Sequence, residues 1–274
     1  MAVITVDGFS KKYGNFLAVD NISFSVEQGE IVGFVGKNGA GKSTTIHALL
    51  NFIALTSGTM TLKGLDSVKD AKKIREVVGY MPSDTLYYPI TVKELFHFYC
   101  DFHSIPYEEA TKLLAYFELD ESKAIADLSL GNRKKVAIIQ MFLGDKDIII
   151  LDEPTSGLDP FMQDKFFDLL LQKKKMGKTV FMSSHNLSEI EKYCDRALII
   201  KDGKIIDDVD LKNITIQKSW VVTYKTKEGK EEKFDWNEDA NALIQKLASF
   251  DLTQLEIKHK SVEDEFIKYY KEEK

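Results

Sequence analysis

The chain has 274 residues, 44% hydrophobic and 29% charged, with a formal net charge of −6; it can fill one large domain, or one large and one small, without covalent staples. An acidic balance with no basic stripe argues against a general polyanion binder, so no nucleic-acid partner is expected. Only Cys100 and Cys194 are present, too few for a disulfide framework and compatible with structural, reduced thiols, and with no leader pattern and no window of ~20 apolar residues the chain is not expected to be exported or inserted by itself.

The β-branched run EIVGFVG (30–36) leads into GKNGAGKST (36–44), which is followed at once by the apolar TIHALLNFI. A glycine-rich loop between a strand and a helix has backbone work to do. Gly36, Gly39 and Gly41 let successive N–H groups turn into a concave nest, and the helix that follows adds its positive N-terminus. The stretch fits G-x-x-x-x-G-K-[ST], a phosphate-binding loop. Lys37, Asn38, Ala40 and Thr44 complete the cradle, Lys42 reaches the β- and γ-phosphates, and the Ser43 hydroxyl ligates Mg²⁺.

Between Pro89 and about Asp145 the strand signal stops, and TVKELFHFYCDF, YEEATKLLAYFEL and LGNRKKVAIIQMFL read as an all-helical insert (about 89–145). DIIILDEP (147–154) then supplies four apolar residues followed by Asp152 and Glu153, at the end of a strand where parallel sheets present ligand-binding groups. Asp152 can orient Mg²⁺ or its water. Glu153, pointing to the other side of the strand end, is free to polarise an attacking water. PFMQDKFFDLLLQKKK (160–175) places Phe161, Phe166, Leu169 and Leu170 on roughly one helix face. TVFMSSH (179–185) and RALIIKDG (196–203) are further short apolar strands, and strands of this kind between helices imply a parallel sheet covered on both faces. All five prolines (82, 89, 106, 154, 160) fall at element boundaries.

After Gly203 the character changes. WVVTYKTKEGKEEKFDW (220–236) reads as a hairpin around Glu228-Gly229, NALIQKLASF as a helix, LTQLEIKHK as a strand, and SVEDEFIKYYK as a helix opened by a Ser261/Asp264 capping box. Residues 207–274 carry 16 acidic and 12 basic side chains, a net −4 of the −6. The reading is a main domain over 1–206 and a small, acidic, βαβ-like accessory domain over 207–274.

These motifs, in this order, resemble the nucleotide-binding subunit of an ATP-binding cassette (ABC) transporter over about residues 2–206. Tyr13 in KKYG matches the aromatic that stacks on adenine, and LSLGN (128–132) lies where the family signature LSGGQ lies. SGLDP (156–160) matches the D-loop with Asp159, and SSH ends in His185, the family's switch histidine. The resemblance implies an α/β fold, a P-loop NTPase cassette with a parallel-sheet core, an N-terminal antiparallel β part, the helical insert and a small C-terminal α+β appendage. It implies ATP and Mg²⁺ as ligands, with Glu153, His185 and Lys42 catalytic and Ser43 and Asp152 at the metal. It also implies two copies, with Ser129 and Gly131 of one subunit closing in trans over the γ-phosphate held by the other. The implied partners are a second nucleotide-binding subunit and a separately encoded membrane permease, which would hold the protein at the cytoplasmic face of the membrane.

Two motifs depart from the family. Ser83 stands where a glutamine commonly meets Mg²⁺, the γ-phosphate and the membrane subunit; serine is too short for that span, which leaves a bridging water. Leu130 and Asn132 replace the third and fifth signature residues. Exporter-type members that pair with a separate permease, including exporters of antibiotics and antimicrobial peptides, resemble the chain in both departures. The aromatic-rich stretch Tyr87, Tyr88, Phe96, Phe98, Tyr99 and Phe102 lies where the family receives the permease's coupling helix, although such rings equally fill a helical core. Two other functions are compatible with a cassette: a soluble, non-transport ABC ATPase acting on ribosomes or DNA, which the acidic balance and the single cassette oppose, and a slowly hydrolysing nucleotide-gated immunity module, which the intact Lys42, Asp152, Glu153 and His185 oppose.

Overall fold

Alternation of apolar and polar residues starts the fold. Ile22, Phe24 and Val26 are buried while Asn21 and Ser23 face water, the period-two pattern of a one-sided antiparallel sheet. A computed structural model describes residues 1–84, 87–212 and 220–259, and its contacts divide the chain into two units, Met1–Val209 and Asp210–Lys274. The Ser261/Asp264 helix lies outside the described residues.

The first unit begins with β1 (Ala2–Tyr13), β2 (Phe16–Glu27), β3 (Ile31–Val35), α1 (Lys42–Leu49), β4 (Ser57–Leu62), β5 (Leu65–Asp66), α2 (Ala71–Val77) and β6 (Val78–Met81). The insert follows as α3 (Val92–His103), α4 (Tyr107–Tyr116) and α5 (Leu130–Phe142). The unit closes with β7 (Ile148–Asp152), α6 (Pro160–Lys175), β8 (Thr179–Ser184), α7 (Leu187–Tyr193), β9 (Arg196–Lys201) and β10 (Lys204–Asp210). An antiparallel sheet has the order β2-β1-β4-β5, and a second sheet the order β10-β9-β3-β8-β7-β6. Within the second, β9, β3, β8, β7 and β6 pair in parallel.

β3, β7 and β8 are buried at every residue, as strands covered on both faces must be. Val32, Phe34, Ile150 and Phe181 from this sheet join Ile4, Phe9 and Phe24 from the antiparallel sheet and Ile46 and Leu49 from α1 in one core. The rings of Phe24, Phe34 and Phe181 lie with centroids 5.4 to 5.9 Å apart. Each such buried ring stabilises the domain by roughly 1.5–3 kcal/mol.

In the insert, α3 opens with a capping box. The Thr91 hydroxyl accepts from the Glu94 N–H at 3.1 Å and the Glu94 carboxylate accepts from the Thr91 N–H at 2.7 Å, which holds that carboxyl below its ordinary range. Of the aromatic-rich stretch, Phe96 is fully buried, whereas Phe98 and Phe102 are 68% and 73% exposed and stack on each other one turn apart. Cys100 and Cys194 are buried and free, and burial pushes both thiols up, away from reactive thiolates.

The buried face of α6 differs from the one its sequence pattern predicts. Met162, Phe166, Phe167 and Leu170 form its buried face, while Phe161 is exposed beneath the Lys165 ammonium. Five residues separate Phe161 from Phe166, about 140° around the helix, whereas Met162 at i−4 stacks directly on that face.

The second unit contains β11 (Trp220–Thr226), β12 (Glu231–Trp236), α8 (Ala240–Leu247) and β13 (Leu252–His259). Both outer strands run antiparallel to the central one in the order β12-β11-β13. β12, α8 and β13 therefore form a split crossover with β11 between its strands, where the sequence pattern reads as a simple βαβ. Val222, Tyr224, Leu243 and Leu247 are its buried core, and Gly229 turns the hairpin at φ 85°.

Candidate functional site

Because β3, β6, β7 and β8 are parallel, their C-terminal ends share one edge of the sheet. The glycine loop leaves β3 there, Ser83 follows β6, Asp152 and Glu153 end β7, and Ser183 to His185 end β8. The loop is possible only with glycine at two points. A Cβ on Gly36 would lie 2.4 Å from the Ile200 carbonyl oxygen, and Gly41 caps α1 at φ 108° with no side chain to occupy its N-terminus. The first N–H groups of α1 are thereby left to an anion. Gly36 and Ala40 are buried behind the loop, and Lys37, Asn38 and Gly39 form its exposed tip.

A cleft of about 480 Å³ opens in front of the loop, lined by Asn38, Gly39 and residues 41–44 together with Tyr13, Phe16, Ala18, Ser83 and Glu153. Tyr13 and Phe16 are cross-strand partners at the end of the β1–β2 hairpin, both exposed, with the Lys11 ammonium 4.8 Å over the Tyr13 ring. Phe16 was not legible as a site residue, since no motif marks it. Its position opposite Tyr13 is a matter of hairpin register.

Lys42 is buried. Its ammonium donates to the Gly36 carbonyl at 2.6 Å and the Lys37 carbonyl at 3.2 Å, and stands 3.3 Å from Glu153 Oε1. The other oxygen, Oε2, lies 2.7 Å from His185 Nδ1. An ionised carboxylate only accepts, so this approach places the imidazole proton on Nδ1. Glu153 is therefore held between a cation and a ring N–H. Its backbone sits at φ 48°, a left-handed conformation costing on the order of 1–3 kcal/mol for a non-glycine residue.

Asp152 is completely buried. Its Oδ1 accepts from the Ser183 hydroxyl at 2.5 Å, and Ser183 Oγ in turn accepts from the Glu153 N–H at 3.0 Å. Asp152 Oδ2 has no hydrogen-bond partner. A buried, unpartnered carboxylate oxygen fits a cation ligand. Among the described residues no group of three His, Cys, Asp or Glu side chains could cage a metal alone.

Glu189, on α7, accepts from Thr155 at 2.9 Å and from Asn186 at 3.1 Å, tying the segment after Glu153 to the segment after His185. Burial raises its pKa, and the hydrogen bonds from Thr155, Asn186 and Ser184 oppose the shift. Ser183, Glu189 and the buried Lys134 are contributors that no motif flagged, because polar residues in strand ends and helices ordinarily face water.

The signature lies elsewhere. Ser129 and Gly131 do not line the cleft. Ser129 caps α5, its hydroxyl accepting from the Asn132 N–H at 3.3 Å, and Leu130 is 55% exposed. A Cβ on Gly131 would lie 3.3 Å from the Gly157 carbonyl oxygen, so signature and D-loop pack on one another. Asp159 caps α6 by accepting from the Met162 N–H at 3.0 Å.

A profile of the ABC transporter family matches residues 19–156. An uncharacterized ABC transporter ATP-binding protein of Methanocaldococcus jannaschii is 32% identical over 96% of this chain and 98% of its own length. The Nod factor export ATP-binding protein I of Burkholderia orbicola is 34% identical over 75% of this chain and 71% of its own. Among solved structures, the ATP binding subunit of an ABC transporter superposes with a TM-score of 0.72 at 28% identity, over 78% of this chain and 92% of that one. The chain belongs to the ABC transporter ATP-binding family and is an ABC-type ATPase with the cassette fold.

Proposed function

We propose that this chain hydrolyses ATP as one half of a cassette dimer, at the cytoplasmic face of a membrane, to drive export through a separate permease. The observation that carries the hydrolytic reading is Glu153 held between Lys42 and His185 at the mouth of the phosphate-loop cleft. On this reading Tyr13 stacks on the adenine, with Phe16 beside it, and the loop N–H groups from Gly39 to Thr44 hold the phosphates. Lys42 faces the β- and γ-phosphates. Ser43 and Asp152 Oδ2 would hold Mg²⁺, which supplies charge neutralisation between the phosphates. Glu153 draws the proton from a water as its oxygen bonds to the γ-phosphorus, and the bond to the β–γ bridging oxygen breaks. His185 keeps the Glu153 carboxylate aimed. Ser83 lines the cleft and would meet the metal through a bridging water.

Ser129 and Leu130 stand exposed at the N-terminus of α5, outside the chain's own cleft, which supports their use by a second subunit in trans. Export is supported by the likeness to a Nod factor export ATP-binding protein. Exposed Phe98 and Phe102 supply rings suited to a permease helix. Among the described residues no helix is long and apolar enough to cross a membrane. The test is ATPase activity of the purified chain across a concentration series: a dimeric site makes the specific rate rise with protein concentration, and a constant specific rate contradicts it.

Ser129→Arg is expected to leave nucleotide binding to the monomer intact and to eliminate the ATP-dependent dimer, because a bulky cation enters the seam. Nucleotide titration with light scattering checks both, and loss of monomer binding contradicts the trans assignment. We also propose that residues 210–274 are an accessory unit without a share in the nucleotide site. A chain ending at Val209 is expected to bind ATP with an affinity within about twofold of the full chain. Abolished affinity in a folded fragment places part of the site in the accessory unit.

A further inference from the structure

Lys134 lies in the second turn of α5, five residues beyond Ser129, and is 1% exposed. A lysine so placed normally extends to water. Here its ammonium donates to the Ser83 carbonyl at 2.9 Å and to the Glu153 carbonyl at 3.1 Å. Those two carbonyls belong to the segments that leave β6 and β7, and α5 is the helix whose N-terminus carries the signature. Desolvation pushes the ammonium toward its neutral form, and the charges of Asp152, Glu153 and Asp84 draw it back.

The Glu153 peptide is the informative end of this bridge. Its left-handed backbone persists only when the surroundings over-determine it, and five contacts do so: the Ser183 hydroxyl on its N–H, the Lys134 ammonium and the Ser156 N–H on its C=O, and Lys42 and His185 on its carboxylate. Of these, only Lys134 comes from the helical insert. A shift of α5 by about 1 Å would stretch the bridge beyond hydrogen-bond range. We propose that Lys134 is a positioning residue for hydrolysis, making the backbone placement of Glu153 depend on the seating of the signature helix. The inference rests on Glu153 being the polarising carboxylate. It adds that α5, which meets the second subunit, reports to that carboxylate within its own chain through one ammonium.

Lys134→Met keeps the length and apolar stem and removes the donors. It is expected to lower kcat by about 10- to 100-fold while KM and monomer nucleotide affinity stay within about twofold, since the phosphate cradle is untouched. Lys134→Arg, which retains charge and donors, is expected to recover most of the turnover. Combining Lys134→Met with Glu153→Gln is expected to cost no more than Glu153→Gln alone, because both act on one group. Turnover within about twofold of the unmodified chain in Lys134→Met, a parallel fall in affinity and kcat, or additive losses in the double variant each overturn the proposal. Should Lys134→Met not fold, Lys134→Gln, with a shorter reach, is read by the same kcat and KM split. Near-native turnover in Glu153→Gln alone removes the catalytic reading of Glu153 itself, which is a different result from a normal Lys134→Met beside an inactive Glu153→Gln.

Discussion

Glu153→Gln is expected to reduce turnover by about 10²- to 10⁴-fold, the contribution of a positioned general base, without weakening ATP binding. The amide has the same shape and can still accept from His185, but it takes up no proton at neutral pH. The sign of the binding effect follows from Lys42, whose ammonium stands 3.3 Å from the Glu153 carboxylate. Neutralising that carboxylate releases Lys42 for the phosphates and removes a negative charge from their vicinity, so affinity holds or rises. A closed dimer with ATP trapped is the expected product, detected by gel filtration with nucleotide and by phosphate release. Near-native hydrolysis by a purified variant puts the base elsewhere.

Lys42→Ala acts on the same pair from the other side with the opposite outcome for binding. Its ammonium is the hydrogen-bond donor to the Gly36 and Lys37 carbonyls and the ion partner of Glu153. Deleting it leaves Glu153 as an uncompensated negative charge facing the phosphates. A hydrogen bond to a charged group is worth about 1.5–3 kcal/mol, so ATP affinity is expected to fall roughly 10- to 150-fold. Turnover falls further, because the γ-phosphate gains charge contacts in the transition state. Titration calorimetry against ATP and ADP separates these contributions. An affinity equal to that of the unmodified chain removes Lys42 from the phosphate site.

The parts legible in the sequence are those written in local chemistry. The α6 boundaries follow from Pro160 at the first helical turn and the lysines of the last, and the phosphate loop follows from glycines that no other residue could replace. The exposure of Phe161 was not legible, because four apolar positions spread over 160–170 tolerate more than one orientation of the buried face. Nor was the strand order of the second unit, since β12 and β13 pair with β11 through contacts remote in sequence and an alternation of two reads alike in either topology. Lys134 shows the limit most clearly. In the polar run NRKK it is indistinguishable from its neighbours, and only the packing of α5 against the ends of β6 and β7 makes it internal.

The place of β8 between β3 and β7 has a consequence for nucleotide choice. Adjacent strands are about 4.8 Å apart, so the phosphate loop and the Asp152–Glu153 pair are anchored roughly 10 Å from each other by a hydrogen-bonded sheet that cannot be compressed. The sheet acts as a ruler graduated in strands. On the proposed reading, a triphosphate laid along the loop would carry its terminal phosphorus toward the carboxylate side, where a diphosphate would end short of it. The backbone lattice sets the separation of the two anchors, and the Lys42 and Glu153 side chains close it to 3.3 Å.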